Sequence, residues 1–193
     1  MARAGVHVLS TPQERMAEAA RQVALVVGAS LFVALCARIS IPLWFTPVPL
    51  TVQNFGVLLV GLLLGSRRGF AAMILYLAEG AMGMPVFSPL GPGGVTQLVG
   101  VTGGYLLVYP FVAGLAGFIF ERGRKSFARA AIAGLLAETV LFAGGVTWLY
   151  VATHSLAKAA YLGLYWFIAA EVLKVMIAAA IATRWGRGSA TQQ

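Results

Sequence analysis

The sequence predicts an all-α integral membrane protein with six transmembrane helices. First, 60% of the 193 residues are hydrophobic and only 10% are charged, whereas about a quarter of the residues in soluble domains are charged. Second, a membrane-spanning helix needs about 20 mostly apolar residues, so six of them occupy about 120 positions. Third, clusters of Arg, Pro and Gly divide the apolar sequence into six runs. The remaining residues are too few for a separate soluble domain.

The polar N-terminal segment does not have the pattern of a cleaved secretory signal, because no small-residue cleavage site follows the first apolar run. Its residues Thr11-Pro12-Gln13-Glu14 are typical of a helix start, with a capping box and Pro at the first helical position. We therefore predict a cytoplasmic N-terminal segment with an interfacial helix at 1–21. The membrane domain follows at 22–184, and a cytoplasmic tail at 185–193 ends the chain.

The six predicted spans cover residues 21–38, 50–64, 69–84, 103–120, 130–152 and 156–183. Two of the loops between them, 39–50 and 85–101, are long for a small bundle and rich in Pro, Gly and aromatic residues. Irregular backbone at membrane depth is stable only where it is buried in protein or lines a cavity. We therefore expect both loops to fold back over a pocket that opens outward. A plain extracellular cap is the alternative.

The distribution of basic residues predicts the orientation of the chain. Eleven of the fourteen Lys and Arg residues lie in the two tails and the even-numbered loops, whereas the odd-numbered loops hold only Arg38 and Lys158. Basic residues are retained on the cytoplasmic side of a membrane. Both termini are therefore predicted to be cytoplasmic. The net charge of +8 then follows from the orientation of the chain in a lipid bilayer, and a nucleic-acid partner is not needed to explain it.

The sequence lacks the residues that common catalytic and metal sites need. It contains no Asp, a single cysteine (Cys36) and two histidines, His7 and His154, that have no neighbouring Glu or second His. An Asp-based triad, a multi-cysteine metal site and a zinc-protease motif are therefore excluded. There is also no GxxxxGK[ST] motif, so the chain has no P-loop for ATP hydrolysis. We predict that the protein is not an enzyme and uses no cofactor or metal.

Two charges within span 6 are the strongest candidates for a ligand site. Glu171 and Lys174 are three residues apart and therefore share a helix face. Each charge alone costs about 2.5–3.5 kcal/mol at the centre of a membrane helix, so the two are expected to pair. The pair is either a ligand site or a packing contact between helices. Glu138 in span 5 and Glu79 in span 3 are weaker candidates of the same kind.

Polar and aromatic residues near the predicted pocket are further candidates. Gln53 and Asn54 open span 2, and amides at that depth pair either with another helix or with a ligand. Tyr105 and Trp148 could form an aromatic wall of the pocket. The alternative for such residues is the aromatic belt at the membrane interface.

Four segments of the chain match, in order, the motifs of one known family. These motifs are P-x-P-x-T-x-Q, YLxxGxxGxPVF, GG…LxGPTGGYL and GxxWL, and the matching residues are 47–53, 76–87, 93–106 and 145–149. The chain thus resembles the BioY family, the biotin-specific substrate-capture (S) components of energy-coupling factor (ECF) transporters. The resemblance covers about residues 25–180 and depends on the combination of segments, since each one alone is weak.

Two departures from the family pattern matter for the ligand. Val101 replaces the Pro of GPTGGY. In span 6, where the family has PFxxGDxxK, this chain has Ala170 in place of the Gly and Glu171 in place of the Asp. The Lys of the motif is retained as Lys174. The acid therefore reaches one methylene further than in the family, from a less open backbone.

The resemblance implies a six-helix S-component fold that captures biotin from outside a bacterial inner (cytoplasmic) membrane. It also implies two kinds of partner, a transmembrane coupling (T) subunit and ABC-type ATPase subunits. Biotin's ureido ring needs hydrogen-bond acceptors and a donor, its thiolane ring and alkyl chain need apolar walls, and its carboxylate needs a cation or free N–H groups. The substrate-binding residues expected on this basis are Glu171, Lys174, Gln53, Thr51, Phe87, Gly93, Gly94, Thr102, Tyr105 and Trp148.

Two other functions stay open from the sequence. One is a stand-alone secondary transporter for a small amphiphilic vitamin, although the expected paired half-repeats are not evident between 22–100 and 101–184. The other is a membrane scaffold without a ligand, in which Glu171 and Lys174 only join helices.

Overall fold

The computed structural model describes residues 11–188, and in this range the chain is almost entirely helical, with one short pair of strands. The elements in chain order are α1 (Pro12–Ala37), β1 (Ser40–Ile41), β2 (Leu50–Thr51), α2 (Gln53–Leu64), α3 (Ser66–Ala81), α4 (Gly94–Val99), α5 (Gly103–Leu107), α6 (Tyr109–Glu121), α7 (Phe127–Thr153), α8 (Leu156–Ala160), a π-helical turn (Tyr161–Tyr165) and α9 (Ile168–Gly188). The all-α prediction is confirmed, and helices occupy all six predicted spans.

The predicted helix start at Thr11 is confirmed. The Thr11 hydroxyl accepts a hydrogen bond from the Glu14 amide at 3.3 Å, and the Glu14 carboxylate accepts one from the Thr11 amide at 2.7 Å. The polar turns that follow belong to the same continuous helix as the first apolar run, which ends at Ala37. The predicted boundary at residue 21 therefore falls within α1 and stays a prediction. Residues 1–10 and 189–193 lie outside the described residues.

Helix length distinguishes the predicted spans from one another. Within the described chain, two helices are long and apolar enough to cross a membrane, Pro12–Ala37 and Phe127–Thr153. A third joins them if Leu156–Tyr165 and Ile168–Trp185, which meet at a 43° bend, count as one span. The helices in predicted spans 2 to 4 are shorter than the usual length of about 20 residues. The count of six crossings therefore stays a prediction.

Two predicted spans are broken rather than continuous. Span 4 is divided at Val108 into α5 and α6, because Pro110, which lacks an N–H group, fits only in the first turn of a helix. Span 6 contains the π-helical turn Tyr161–Tyr165 and the 43° bend. Such a turn changes the backbone hydrogen-bond pattern from four to five residues and is frequent at functional sites.

The two long loops contain local structure that was not predicted. In the first loop, Ser40 pairs with Thr51 and Ile41 with Leu50 to form an antiparallel ribbon. In the second loop, α4 forms a helix of six residues. Both elements anchor loop ends close to the helices, so the loops have defined paths.

The core is formed by close contacts between helices. Helix α6 packs against α2, α3 and α7, and α9 packs against α2 and α7. Glycine permits α2 and α6 to approach closely, because a Cβ atom on Gly61 would lie 2.4 Å from the carbonyl oxygen of Ala113. Ser30 on α1 donates a hydrogen bond to Glu79 on α3. Glu79 therefore joins two helices, the packing role that was one of its two sequence-based interpretations.

Candidate substrate-binding site

A cavity of about 870 Å³, including its open mouth, lies where the two long loops meet the helices. This volume is in the range of about 300–1,000 Å³ that is usual for small-molecule sites. The lining residues come from both loops, from α2, α4, α5, α6 and α7, from the π-helical turn and from the start of α9. They are Pro47, Val48, Pro49, Thr51, Gln53, Asn54, Ser88, Leu90, Gly91, Pro92, Gln97, Gly100, Val101, Thr102, Tyr105, Leu106, Tyr109, Leu141, Phe142, Gly163, Phe167 and Glu171.

An ion pair with an amide bridge forms one wall of the cavity. The Lys174 Nζ atom lies 2.8 Å from Glu171 Oε1, and the two side chains are only 14% and 7% exposed. Lys174 also donates to Asn54 Oδ1 at 3.0 Å and to the backbone carbonyl of Thr51. Asn54 in turn donates to the second carboxylate oxygen of Glu171. The three side chains therefore form a closed ring of hydrogen bonds between α2 and α9.

The ring places Glu171 and Lys174 at different depths. Glu171, Asn54 and Thr51 line the cavity, whereas Lys174 does not. An ammonium group has three protons, and all three are directed to acceptors in the network. Lys174 therefore lies behind the wall and holds its acceptors in place, rather than presenting a free cation to the cavity.

A second carboxylate lies close to this network. Glu138 on α7 is 4% exposed, and within the described chain neither of its carboxylate oxygens forms a hydrogen bond of ordinary geometry, although the Asn54 amide is near enough to interact with it. It is within electrostatic range of Glu171 and Lys174. The site therefore holds two buried acids for one amine. A buried charge without a partner is costly, so the acids compete for the same cation.

Tyr105 connects the cavity wall to the π-helical turn. Its hydroxyl donates to the backbone carbonyl of Gly163 at 2.6 Å, and Thr46 in the first loop donates to the neighbouring carbonyl of Leu162, also at 2.6 Å. The ring of Tyr105 fits against Gly145, where a Cβ atom would lie 2.0 Å from ring carbons. Two carbonyls of the π-helical turn thus hold Tyr105 in the cavity wall and Thr46 of the first loop.

Trp148 supports the second loop from behind. Its indole N–H donates to the carbonyl of Gly100 at 2.8 Å, and its side chain leaves no space for a Cβ on Gly104. Trp148 does not line the cavity, but Gly100 and Thr102, at the end of the loop it holds, do. Trp148 was expected to form an aromatic wall of the cavity, but the structure places it behind the lining residues, where it supports the loop.

The remaining predicted residues lie near the cavity but not on its surface. Phe87 is 3% exposed and packs on Tyr76, with ring centroids 5.3 Å apart. Gly93 and Gly94 have positive φ angles of 73° and 60° and turn the chain into α4, next to the lining residues Gly91 and Pro92. The structure thus brings five of the ten predicted residues to the cavity, namely Glu171, Gln53, Thr51, Thr102 and Tyr105, and places Lys174, Phe87, Gly93, Gly94 and Trp148 behind them.

Most of the apolar lining was not predicted from the sequence. Leu141, Phe142 and Phe167 line the cavity, but in an apolar helix no local signal separates them from lipid-facing or core residues. Gln97 also lines the cavity, and because this polar side chain is only 4% exposed it needs an internal partner. It donates to Ser88 and accepts from Gly93, and so holds the second loop in its turn.

The arrangement is suited to holding a small ligand with a polar end and an apolar body. The lining includes the Glu171 carboxylate and the amides of Gln53 and Asn54, and aromatic and aliphatic side chains form most of the rest. Among the described residues, no group of three or more His, Cys, Asp or Glu side chains is placed to hold a metal ion.

Comparison with known proteins gives consistent matches. The model of the BioY family matches residues 8–190. The biotin transporter BioY of Thermotoga maritima is 38% identical over 161 residues, which is 82% of this chain and 93% of the relative. The probable biotin transporter BioY of Pyrococcus horikoshii is 38% identical over 170 residues, or 86% and 96% of the two chains. The biotin transporter BioY of Rhizobium etli is 36% identical over 162 residues, or 78% and 84%.

A solved structure has the same fold. It is the crystal structure of the S component for biotin from an ECF-type ABC transporter. The match has a TM-score of 0.79 and covers 93% of this chain and 95% of that one, at 24% sequence identity. The chain therefore has the same overall fold as that S component.

Proposed function

The chain belongs to the BioY family, and we propose that it is a biotin-binding membrane subunit that captures biotin from outside and delivers it through an ECF-type ATP-driven importer. One observation carries this proposal. The buried ring of Glu171, Lys174 and Asn54 forms the wall of a ligand-sized cavity. Two ionised groups at such depth are costly as packing alone, which argues against a scaffold without a ligand.

The polar end of the cavity is suited to the ureido ring of biotin. That ring offers two N–H donors and one carbonyl. The Glu171 carboxylate supplies acceptors beside the cavity, and Asn54 has one amide N–H besides the one that it donates to Glu171. Tyr105, Phe142 and Phe167 are placed to cover the thiolane ring and alkyl chain. We therefore place the ureido ring against α2 and α9.

The carboxylate of biotin is expected at the opposite end, near the second loop. Beside Glu171 it would meet two carboxylates, and Lys174 has no proton left to offer it. The turn at Gly93 and Gly94 lies in this second loop, next to the lining residues Gly91 and Pro92. In this proposal biotin contacts Glu171, Gln53, Thr51, Thr102 and Tyr105. Lys174, Phe87 and Trp148 position these side chains, and the turn at Gly93 and Gly94 shapes the loop beside the biotin carboxylate.

The membrane arrangement completes the proposal. Six helical segments cross a bacterial cytoplasmic membrane, with the basic segments and both termini on the inside, as the distribution of charge favours. The membrane domain is 22–184, flanked by cytoplasmic segments at 1–21 and 185–193. Since the chain has no P-loop, energy for uptake comes from partners, a T subunit and ABC-type ATPases.

Binding of labelled biotin to the purified protein in lipid nanodiscs tests the function. We expect saturable binding by the wild type and strongly weakened binding by Glu171→Ala and Lys174→Ala. Lys158→Ala is the matched control, because Lys158 is exposed on α8 and outside the cavity. A wild type without saturable binding would refute the proposal. Uptake in cells that is unaffected by ATP depletion would instead favour a stand-alone secondary transporter.

A further inference from the structure

We propose that Tyr76, which does not line the cavity, is a positioning residue that sets the direction of the Gln53 amide. In this arrangement the Gln53 carbonyl oxygen faces the cavity and selects for an N–H group on the ligand. The inference rests on the proposed function, because it concerns how the same cavity distinguishes biotin from close analogues.

The direction of the amide follows from the hydrogen bonds of Tyr76. The phenol hydroxyl lies 2.9 Å from the backbone carbonyl of Val86, and a carbonyl can only accept, so the single phenol proton is directed there. The phenol oxygen can therefore only accept from its other neighbour, Gln53 Nε2, also at 2.9 Å. With a flipped amide, the single phenol proton would face two acceptor oxygens, Gln53 Oε1 and the Val86 carbonyl, and one of them would lose its donor. The direction with Nε2 toward the phenol satisfies both contacts, and so Tyr76 favours it.

The other end of the amide is left for a ligand. Gln53 lines the cavity and is 3% exposed. Its Oε1 atom accepts no hydrogen bond from the residues that the structure describes, and it is not completely enclosed by protein atoms. The Glu171 carboxylate lines the same cavity. The cavity therefore presents hydrogen-bond acceptors from two helices, α2 and α9, to a ligand with two N–H groups.

Tyr76 is held rigidly enough to have this role. Its side chain is fully buried, with an exposure of 0%. Phe87 packs edge-on against it at 5.3 Å between centroids, and Tyr109 lies on another side at 6.5 Å. Phe87 itself fits only because residue 80 is glycine, where a Cβ atom would lie 2.0 Å from the ring. Phe87 therefore acts on the ligand indirectly, by fixing the phenol that orients Gln53.

Substrate selectivity tests the inference. The probes are biotin and its two derivatives methylated on one or the other ureido nitrogen, and the measured quantity is the ratio of their Kd values to that of biotin. In Tyr76→Phe the Gln53 NH₂ group loses its acceptor and the amide is free to turn. One of the two ratios should then fall about 2- to 10-fold, the effect of one ordinary hydrogen bond. Tyr150→Phe is the matched control, because this tyrosine is 47% exposed on α7 and should leave both ratios unchanged.

A second variant separates positioning from general damage. Gln53→Met removes the amide and should lower the same ratio, and adding Tyr76→Phe to it should lower the ratio no further. If Tyr76→Phe is not recovered in a folded form, Gln53→Met alone decides, and an unchanged ratio overturns the inference. Equal weakening of biotin and both derivatives by Tyr76→Phe also overturns it. A wild type that does not bind biotin would overturn the proposed function instead.

Discussion

Replacing Lys174 with methionine should strongly destabilise the protein. The substitution keeps the length and apolar stem of the side chain but removes the ammonium group. Three acceptors then lose their donor, namely Glu171 Oε1 at 2.8 Å, Asn54 Oδ1 at 3.0 Å and the backbone carbonyl of Thr51. The pair is largely buried, at 14% and 7% exposure. Removing one partner of a buried pair costs about 3–5 kcal/mol, and we expect a loss in this range.

A double-mutant cycle tests whether the loss comes from the unpaired charge. Glu171→Gln combined with Lys174→Met removes both charges and keeps both side-chain lengths. Since replacing a whole buried pair with uncharged groups is often nearly neutral, the double variant should recover about 2–4 kcal/mol relative to Lys174→Met alone. It should not recover biotin binding, because Glu171 is the proposed acceptor for the ureido ring.

The assay is the free energy of unfolding from reversible SDS titration in mixed micelles, with biotin affinity measured on the same preparations. Lys158→Met is the control, because Lys158 is exposed and forms no ion pair with a described residue. A cost below about 1 kcal/mol for Lys174→Met would place the pair in the range of exposed salt bridges and refute the reasoning. So would a double variant as unstable as the single one.

Three further predictions concern the cavity and its supports. Glu138→Gln should leave the free energy of unfolding unchanged or raise it, because this buried carboxylate forms no hydrogen bond of ordinary geometry with a described residue. A clear loss in SDS titration would show that its charge is needed. Tyr105→Phe should lower the free energy of unfolding by about 1–3 kcal/mol, since it leaves a buried carbonyl of the π-helical turn without its donor. It should also speed biotin release in a chase experiment. The control Tyr150→Phe should have neither effect. Gly145→Ala should abolish biotin binding, because the new methyl group would lie 2.0 Å from the Tyr105 ring, whereas Gly28→Ala, with no atom within 4 Å, should bind normally.

Sequence reasoning was most successful where the cause is local. The capping box at Thr11 needs only residues within one helical turn, and the structure contains both of its hydrogen bonds. The pairing of Glu171 with Lys174 follows from their spacing of three residues on one helix. Helix ends near Leu64 and Thr153 were also within a residue or so of prediction, since Gly, Arg and His at those points interrupt the apolar runs.

Reasoning from the sequence was less successful for breaks within helices. Pro110 was visible, but its effect depends on whether the chain bends or starts a new helix there, and the structure starts a new helix. The π-helical turn at Tyr161–Tyr165 has no comparable local signal. Its carbonyls are satisfied by Thr46 and Tyr105, from distant parts of the chain. A turn of this kind is therefore stabilised by partners that local sequence does not specify.

Composition and helical spacing are properties of the chain alone, and they were enough to predict a membrane protein with an acid and an amine on one helix. Which of these two groups faces the cavity depends on how the helices pack. Asn54 forms hydrogen bonds with both side chains, and it is 117 residues away from Glu171 in the sequence. The rotation and height of α2 against α9 set that contact, and both depend on the packing of all the other helices. For this reason Lys174 lies behind the wall, and Glu171 at its surface.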